Sequence, residues 1–169
     1  SLKRGERFQL ENLAKEIENV LEVPTKQCKA LAKSVKCGVS FHHAGLIGQQ
    51  KRLIEEGFRK GLVKVICATP TLAMGVNIPA FRAVIRDAKR YYPGMGSVYI
   101  PVLDYYQMIG RCGRPQYDEF GESVLIARNE QDAEELTQRF IFGEPEDIRS
   151  KLAVEPVLRT HLLALIASG

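Results

Sequence analysis

Residues 62–68, Leu-Val-Lys-Val-Ile-Cys-Ala, carry the strongest strand signal in the chain. The run is short, apolar and β-branched, and it passes without a spacer into Thr69-Pro70-Thr71. Upstream, residues 46–60 repeat apolar side chains at helical spacing, with Ile47, Leu53, Ile54 and Phe58 inward and Gly61 just past the end. Before that helix, residues 39–42 (VSFH) form another short strand. Helical segments alternating with short β-branched runs predict an α/β domain built on a parallel sheet.

The rest of the chain continues this alternation. Residues 7–21 place Phe8, Leu10, Leu13, Ile17, Val20 and Leu21 close to one helical stripe. Pro24-Thr25 interrupts it, and a second helix is expected over 26–36, ahead of Gly38. Residues 83–86 and 123–127 are further short strands. A helix follows the Asn129 cap over 130–142. Residues 104–110 predict a short helix, in which Asp104 and Gln107 have the spacing of a capping box. Between the strands, 86–102 flanks Pro93-Gly94-Met95-Gly96 with β-branched and aromatic arms, a hairpin with a flexible tip. Pro145 and Pro156 frame a polar connection, after which 157–167 (VLRTHLLALIA) is an apolar helix. The expected division is one domain over 1–150, then a linker and the start of another over 151–169.

Composition narrows the class without naming a function. With 169 residues, 45% hydrophobic and 26% charged, the chain can bury a sizeable core; disorder, collagen and a stapled miniprotein are excluded. No run approaches the roughly 20 apolar residues of a membrane span, and the first residues lack an apolar leader. Cys28, Cys37, Cys67 and Cys112 show no C-x-x-C spacing, which reads as reduced thiols in a cytoplasmic protein. The net charge of +4 suits a polyanion partner without demanding one.

Three clusters carry chemistry. Gln107-Met108-Ile109-Gly110-Arg111-Cys112-Gly113-Arg114-Pro115 sets two arginines three apart around glycines, so that two planar guanidinium forks can meet one phosphate. A solvated turn with two surface arginines is the plain alternative. Residues 68–79 (ATPTLAMGVNIP) follow the strong strand at its carboxyl end, where open α/β sheets bind ligands. Hydroxyls and early amides there can hold a phosphate, or Thr69 can serve as an ordinary helix cap. Phe41-His42-His43-Ala44-Gly45-Leu46 pairs two histidines. Strand neighbours point to opposite faces and no third ligand stands at metal spacing, so no metal site is expected. His43 and Arg52 instead suit a surface that touches a nucleic-acid backbone.

In this order, F-H-H-A-G-L at 41, A-T-P-T-L-A-x-G-V-N-I-P at 68 and Q-M-I-G-R-x-G-R-P at 107 resemble the second RecA-like domain of superfamily 2 helicases. The resemblance is to the Ski-like branch, nearest to the archaeal Hjm-type DNA repair helicases. It is strong over about 38–128 and looser on both flanks. Met108, where DEAD-box relatives carry another arginine, and Met74-Gly75-Val76-Asn77, where they carry R-G-x-D, argue against a DEAD-box assignment.

The resemblance implies an α/β RecA-like fold with a central, mostly parallel sheet flanked by helices, plus the start of a winged-helix domain. Arg111 and Arg114 resemble the motif VI arginines, with Arg114 as the arginine finger on the γ-phosphate of ATP, and Gln107 faces the interdomain cleft. Gly75 and Asn77 match positions beside the nucleotide, Thr69 a strand-backbone contact, and Arg52 the motif IVa phosphate contact. Tyr91 and Tyr92 would replace base stacking on a strand-separating hairpin. ATP and Mg2+ would be held mainly by a first RecA-like domain, because the chain contains neither G-x-x-x-x-G-K-[ST] nor D-E-x-H. The expectation is therefore half a motor, cut within its second domain and inactive alone. Its implied partners are single-stranded and forked DNA and its neighbouring domains, working as a monomer in the cytoplasm beside an archaeal nucleoid. A Ski-like RNA helicase, a non-catalytic nucleic-acid-binding module, and a docking domain whose arginines hold a phosphate ligand are the alternatives.

Overall fold

The computed structural model describes residues 4–70, 78–113, 118–146, 159, 162–164 and 166–167. Helices α1 (Arg4–Glu18) and α2 (Lys26–Val35) pack face to face. Each buries a single stripe: Leu10, Leu13, Ala14 and Ile17 from α1, and Leu31, Ala32 and Val35 from α2. Thr25 starts α2, its hydroxyl accepting the Cys28 N–H at 3.2 Å, one of the donors a helix N-terminus leaves unmatched.

Strand β1 (Val39–His42) runs parallel to β2 (Val65–Ala68), in register from Val39↔Val65 to His42↔Ala68. The crossover is α3 (Gly48–Arg59), which buries Ile54 in the α1–α2 core. Gly57 permits this close approach, since a Cβ there would sit 2.8 Å from Leu13 Cδ2. Gln50 of α3 is fully buried, and its amide donates to the Ile17 carbonyl at 3.2 Å, which satisfies a polar group that would be costly to bury alone. The strand expected over 62–68 is shorter. Leu62 and Val63 donate their N–H groups to Gly57 O at 2.9 and 3.1 Å, so these residues close the helix and drop Val63 into the core before the ladder begins.

The second half has its own core. Strand β3 (Arg82–Ile85) runs parallel to β6 (Glu122–Leu125), and β4 (Lys89–Tyr92) with β5 (Gly96–Tyr99) forms the expected antiparallel hairpin. Helices α4 (Val102–Ile109) and α5 (Glu130–Leu136) complete it. Asn129 caps α5, accepting the Asp132 N–H at 2.8 Å. The helix continues as a π turn over Thr137–Ile141, where Phe142 N–H reaches Thr137 O at 3.1 Å. Ile85, Ala88, Ile100, Val102, Tyr105, Leu136 and Phe140 form the apolar cluster, with the Tyr105 and Phe140 rings 5.1 Å apart.

The fold is α/β with parallel sheets, as the sequence predicts. Among the described residues the parallel strands form two pairs, β1–β2 and β3–β6. Each pair is covered by its own helices and apolar cluster. The expected capping box is also corrected. α4 begins at Val102, two residues before Asp104, behind the Pro101 N-cap, which offers no side-chain bond. Its first amides are instead met by Glu146, whose two carboxylate oxygens accept from Val102 N–H at 2.9 Å and Leu103 N–H at 3.3 Å. Asp104 lies 3.9 Å from the Arg90 guanidinium. Residues 159, 162–164 and 166–167 are helical, as expected of 157–167; the proposed domain boundary falls among residues outside the described set. No described helix is long and apolar enough to cross a membrane.

Candidate functional site

Parallel pairing places the carboxyl ends of β1 and β2 side by side, and Thr69 N–H extends the ladder to His42 O at 3.2 Å. This brings the 41–46 cluster beside the start of the 68–79 cluster. The adjacent histidines diverge as strand alternation requires. His42 points inward, is buried, and sets its Nε2 3.3 Å from Glu55 Oε1 on α3; its Nδ1 is buried without a partner. His43 stacks on Phe41 with centroids 5.8 Å apart, and its Nδ1 accepts the Gly45 N–H at 3.1 Å. The 43–45 turn is held further by Lys51 Nζ donating to Ala44 O at 3.0 Å and Gln27 Nε2 donating to Gly45 O at 3.3 Å. Arg52 stands exposed on the first turns of α3, whose Ile47 cap supplies no side-chain acceptor. His43, Arg52 and Thr69 therefore share one end of the first half-domain.

The arginine turn follows α4. Gln107 is exposed on the last turn of the helix and Arg111 is half-buried just beyond it. The backbone of this turn is fastened to the end of the motif at 68–79. Ala80 N–H donates to Arg111 O at 2.9 Å, and Gly113 N–H donates to Ala80 O at 2.7 Å, a parallel bridge between Ala80 and Cys112. Gly113 adopts φ +88°, a left-handed conformation that favours glycine. Gly121 lies against the backbone of Cys112 and Gly113 with no room for a Cβ. Burial pushes the Cys112 thiol pKa up, which favours its protonated form. Gly75, Asn77 and Arg114 lie outside the described residues.

The hairpin presents Tyr91 at 72% and Met95 at 75% exposure, with Tyr92 at 37%. As strand neighbours, Tyr91 and Tyr92 face opposite sides of the ribbon, so they do not form one stacking surface. Gly94 and Gly96 turn the tip with φ +84° and +76°. The base is held firmly. The Tyr99 hydroxyl donates to Glu135 at 2.5 Å, a bond that pushes the phenol pKa up, and Lys89 Nζ sits 4.2 Å over the same ring. Arg139 on the π turn also lies over Tyr99, at 5.2 Å. This anchor, and the Glu146 cap, escape sequence reading because their partners lie 36 and 44 residues apart.

Arg111, half-buried on a turn whose main chain is pinned to Ala80, carries the planar guanidinium donors that suit phosphate oxygens.

Residues 12–116 match the family described as the helicase conserved C-terminal domain. The ATP-dependent DNA helicase Hel308 of Methanocella arvoryzae is 51% identical over 159 residues, covering 94% of this chain and 22% of that protein. Those of Methanococcus vannielii and Pyrococcus horikoshii are 47% and 46% identical, each over 99% of this chain and 22% of their own length. The chain thus spans about a fifth of the length of these curated relatives. Matching motif order, parallel strand pairing and a family match across most of its length agree: the chain belongs to the helicase conserved C-terminal domain family, of the Hel308 type.

Proposed function

We propose that this chain is the second RecA-like domain of an ATP-dependent 3′–5′ DNA helicase that opens forked or branched DNA during repair. The observation that carries the reading is the backbone bridge from Ala80 to the Arg111–Gly113 turn. It joins the end of a strand-contacting motif to the arginines that would face a nucleotide. ATP with Mg2+, held mainly by a first RecA-like domain, supplies the free energy of stepping. Arg114 and Arg111 would hold the outer phosphate from this side and stabilise charge as it develops there. Gln107, Gly75 and Asn77 would line the cleft between the two domains. His43, Arg52 and Thr69 would grip the backbone of the tracked strand, and the hairpin, chiefly through the more exposed Tyr91, would part the duplex. The protein would act as a monomer.

The test joins the chain to its upstream domain and follows ATP hydrolysis with single-stranded DNA and then RNA. Stimulation chiefly by DNA is expected, and Arg114→Ala should lower the stimulated rate by roughly 10³-fold or more. Unchanged hydrolysis in that variant overturns the finger assignment. Stronger stimulation by RNA moves the chain to the RNA-processing branch, since backbone grips discriminate the sugar poorly.

A further inference from the structure

Helix α2 carries Lys26, Lys29, Lys33 and Lys36 on its outer side, the last as C-cap, with no acidic residue among them. At 100° per residue these positions fall within a sector of about 80° and span about 15 Å along the axis. All four are exposed, opposite the buried stripe of Cys28, Leu31, Ala32 and Val35. None makes an ion pair among the described residues, whereas Lys60, Lys64, Arg82 and Arg90 each face a carboxylate. Neighbouring α1, by contrast, intersperses Arg7 and Lys15 with Glu6, Glu11, Glu16 and Glu18, the mixed pattern of a solvated helix face. The stripe also starts beside the candidate strand site, because Gln27 hydrogen-bonds the 43–45 turn.

We propose that this face of α2 binds the phosphate backbone of a double-stranded nucleic-acid arm, a contact separate from the His43–Arg52–Thr69 end. The inference rests on the nucleic-acid reading given above and extends it to a second segment of the substrate. Compact ammonium groups at helical spacing suit sequence-independent phosphate contacts. The face carries no aromatic residue, so it lacks the stacking platforms by which proteins hold single strands and favours a duplex, whose bases are already stacked. The arm would be held without being read.

The test uses the chain and its K26Q/K29Q/K33Q/K36Q variant, with binding to blunt duplex DNA and to single-stranded DNA measured across a salt series. Each lost phosphate contact lowers the slope of log K against log salt by about 0.9 on B-DNA. The duplex slope should therefore fall by about 3 to 4 in the variant, with single-strand binding retained. Lysine acetylation of the unmodified chain supplies a second readout that needs no variant to fold: duplex, and not single strand, should protect these four lysines. An unchanged duplex slope with single-strand binding intact overturns the stripe alone. Failure of the unmodified chain to bind either form overturns the nucleic-acid reading as well. Equal protection by polyglutamate overturns the phosphate assignment in favour of an acidic protein partner.

Discussion

Glu146 lies far from α4 in sequence yet supplies its N-terminal acceptor, and removing it gives a prediction with a definite size and pH dependence. Its carboxylate accepts from the Val102 and Leu103 amides at 2.9 and 3.3 Å and lies 4.0 Å from Arg139. The Val102 N–H is the main reason its carboxyl is held below the usual carboxylate range. With a side chain 47% exposed, the bond is worth no more than an ordinary cap. Glu146→Ala should therefore cost about 1 kcal/mol at pH 7, or roughly 2–4 °C in Tm for a chain of this size. Glu146→Gln keeps one acceptor oxygen and loses the charge, so it should cost less than Ala. Because the folded pKa is depressed, the stabilisation is present at neutral pH and is lost as pH falls through the folded value. Urea unfolding at pH 7 and again at pH 3 measures both effects, and the gap between the parent and Glu146→Gln should narrow at the lower pH. An alanine variant within about 0.5 kcal/mol of the parent, the scatter of ordinary surface changes, refutes the capping argument. So does a glutamine gap that is the same at both pH values.

Other perturbations reach different parts of the molecule. Gly121→Ala would push a Cβ into the Cys112–Gly113 backbone; it should destabilise the chain by about 1–3 kcal/mol and raise Cys112 labelling by a thiol reagent. Phe140→Ala empties the centre of the second core and should cost about 3–5 kcal/mol in chemical denaturation. Tyr91→Ala, at an exposed position, should leave Tm and single-strand-stimulated hydrolysis unchanged in the protein rejoined to its upstream domain while slowing strand separation on a forked duplex. Equal unwinding by parent and variant would remove Tyr91 from the wedge.

What the sequence disclosed follows from the range of the interactions involved. Helices α1 to α3 were legible because their apolar stripes are local, and the hairpin because Pro93-Gly94-Met95-Gly96 holds its turn chemistry within four residues. The spacing of Asp104 and Gln107 points to a cap that the helix does not use, because such spacing says nothing about an acceptor arriving from residue 146. Residues 62–64 look like strand because Val63 is apolar, although its N–H goes back to Gly57. The π turn was hidden for a similar reason. It is closed by the Phe142 N–H bond to Thr137 O, which no hydrophobic period encodes. The pairing of parallel strands in two sets, each over its own cluster, likewise arises from contacts between distant segments.

The bridge between Ala80 and Cys112 has a mechanical consequence. Two loops that meet through side chains can be uncoupled by one mutation, but these are spliced through their main chains by a pair of amide–carbonyl bonds. Tension on one loop loads the other directly, as in two links of a chain. Their coupling should then survive most side-chain drift at positions 80 and 112, and it would be weakened by a change that deletes one of the two amide hydrogens, such as proline at Gly113.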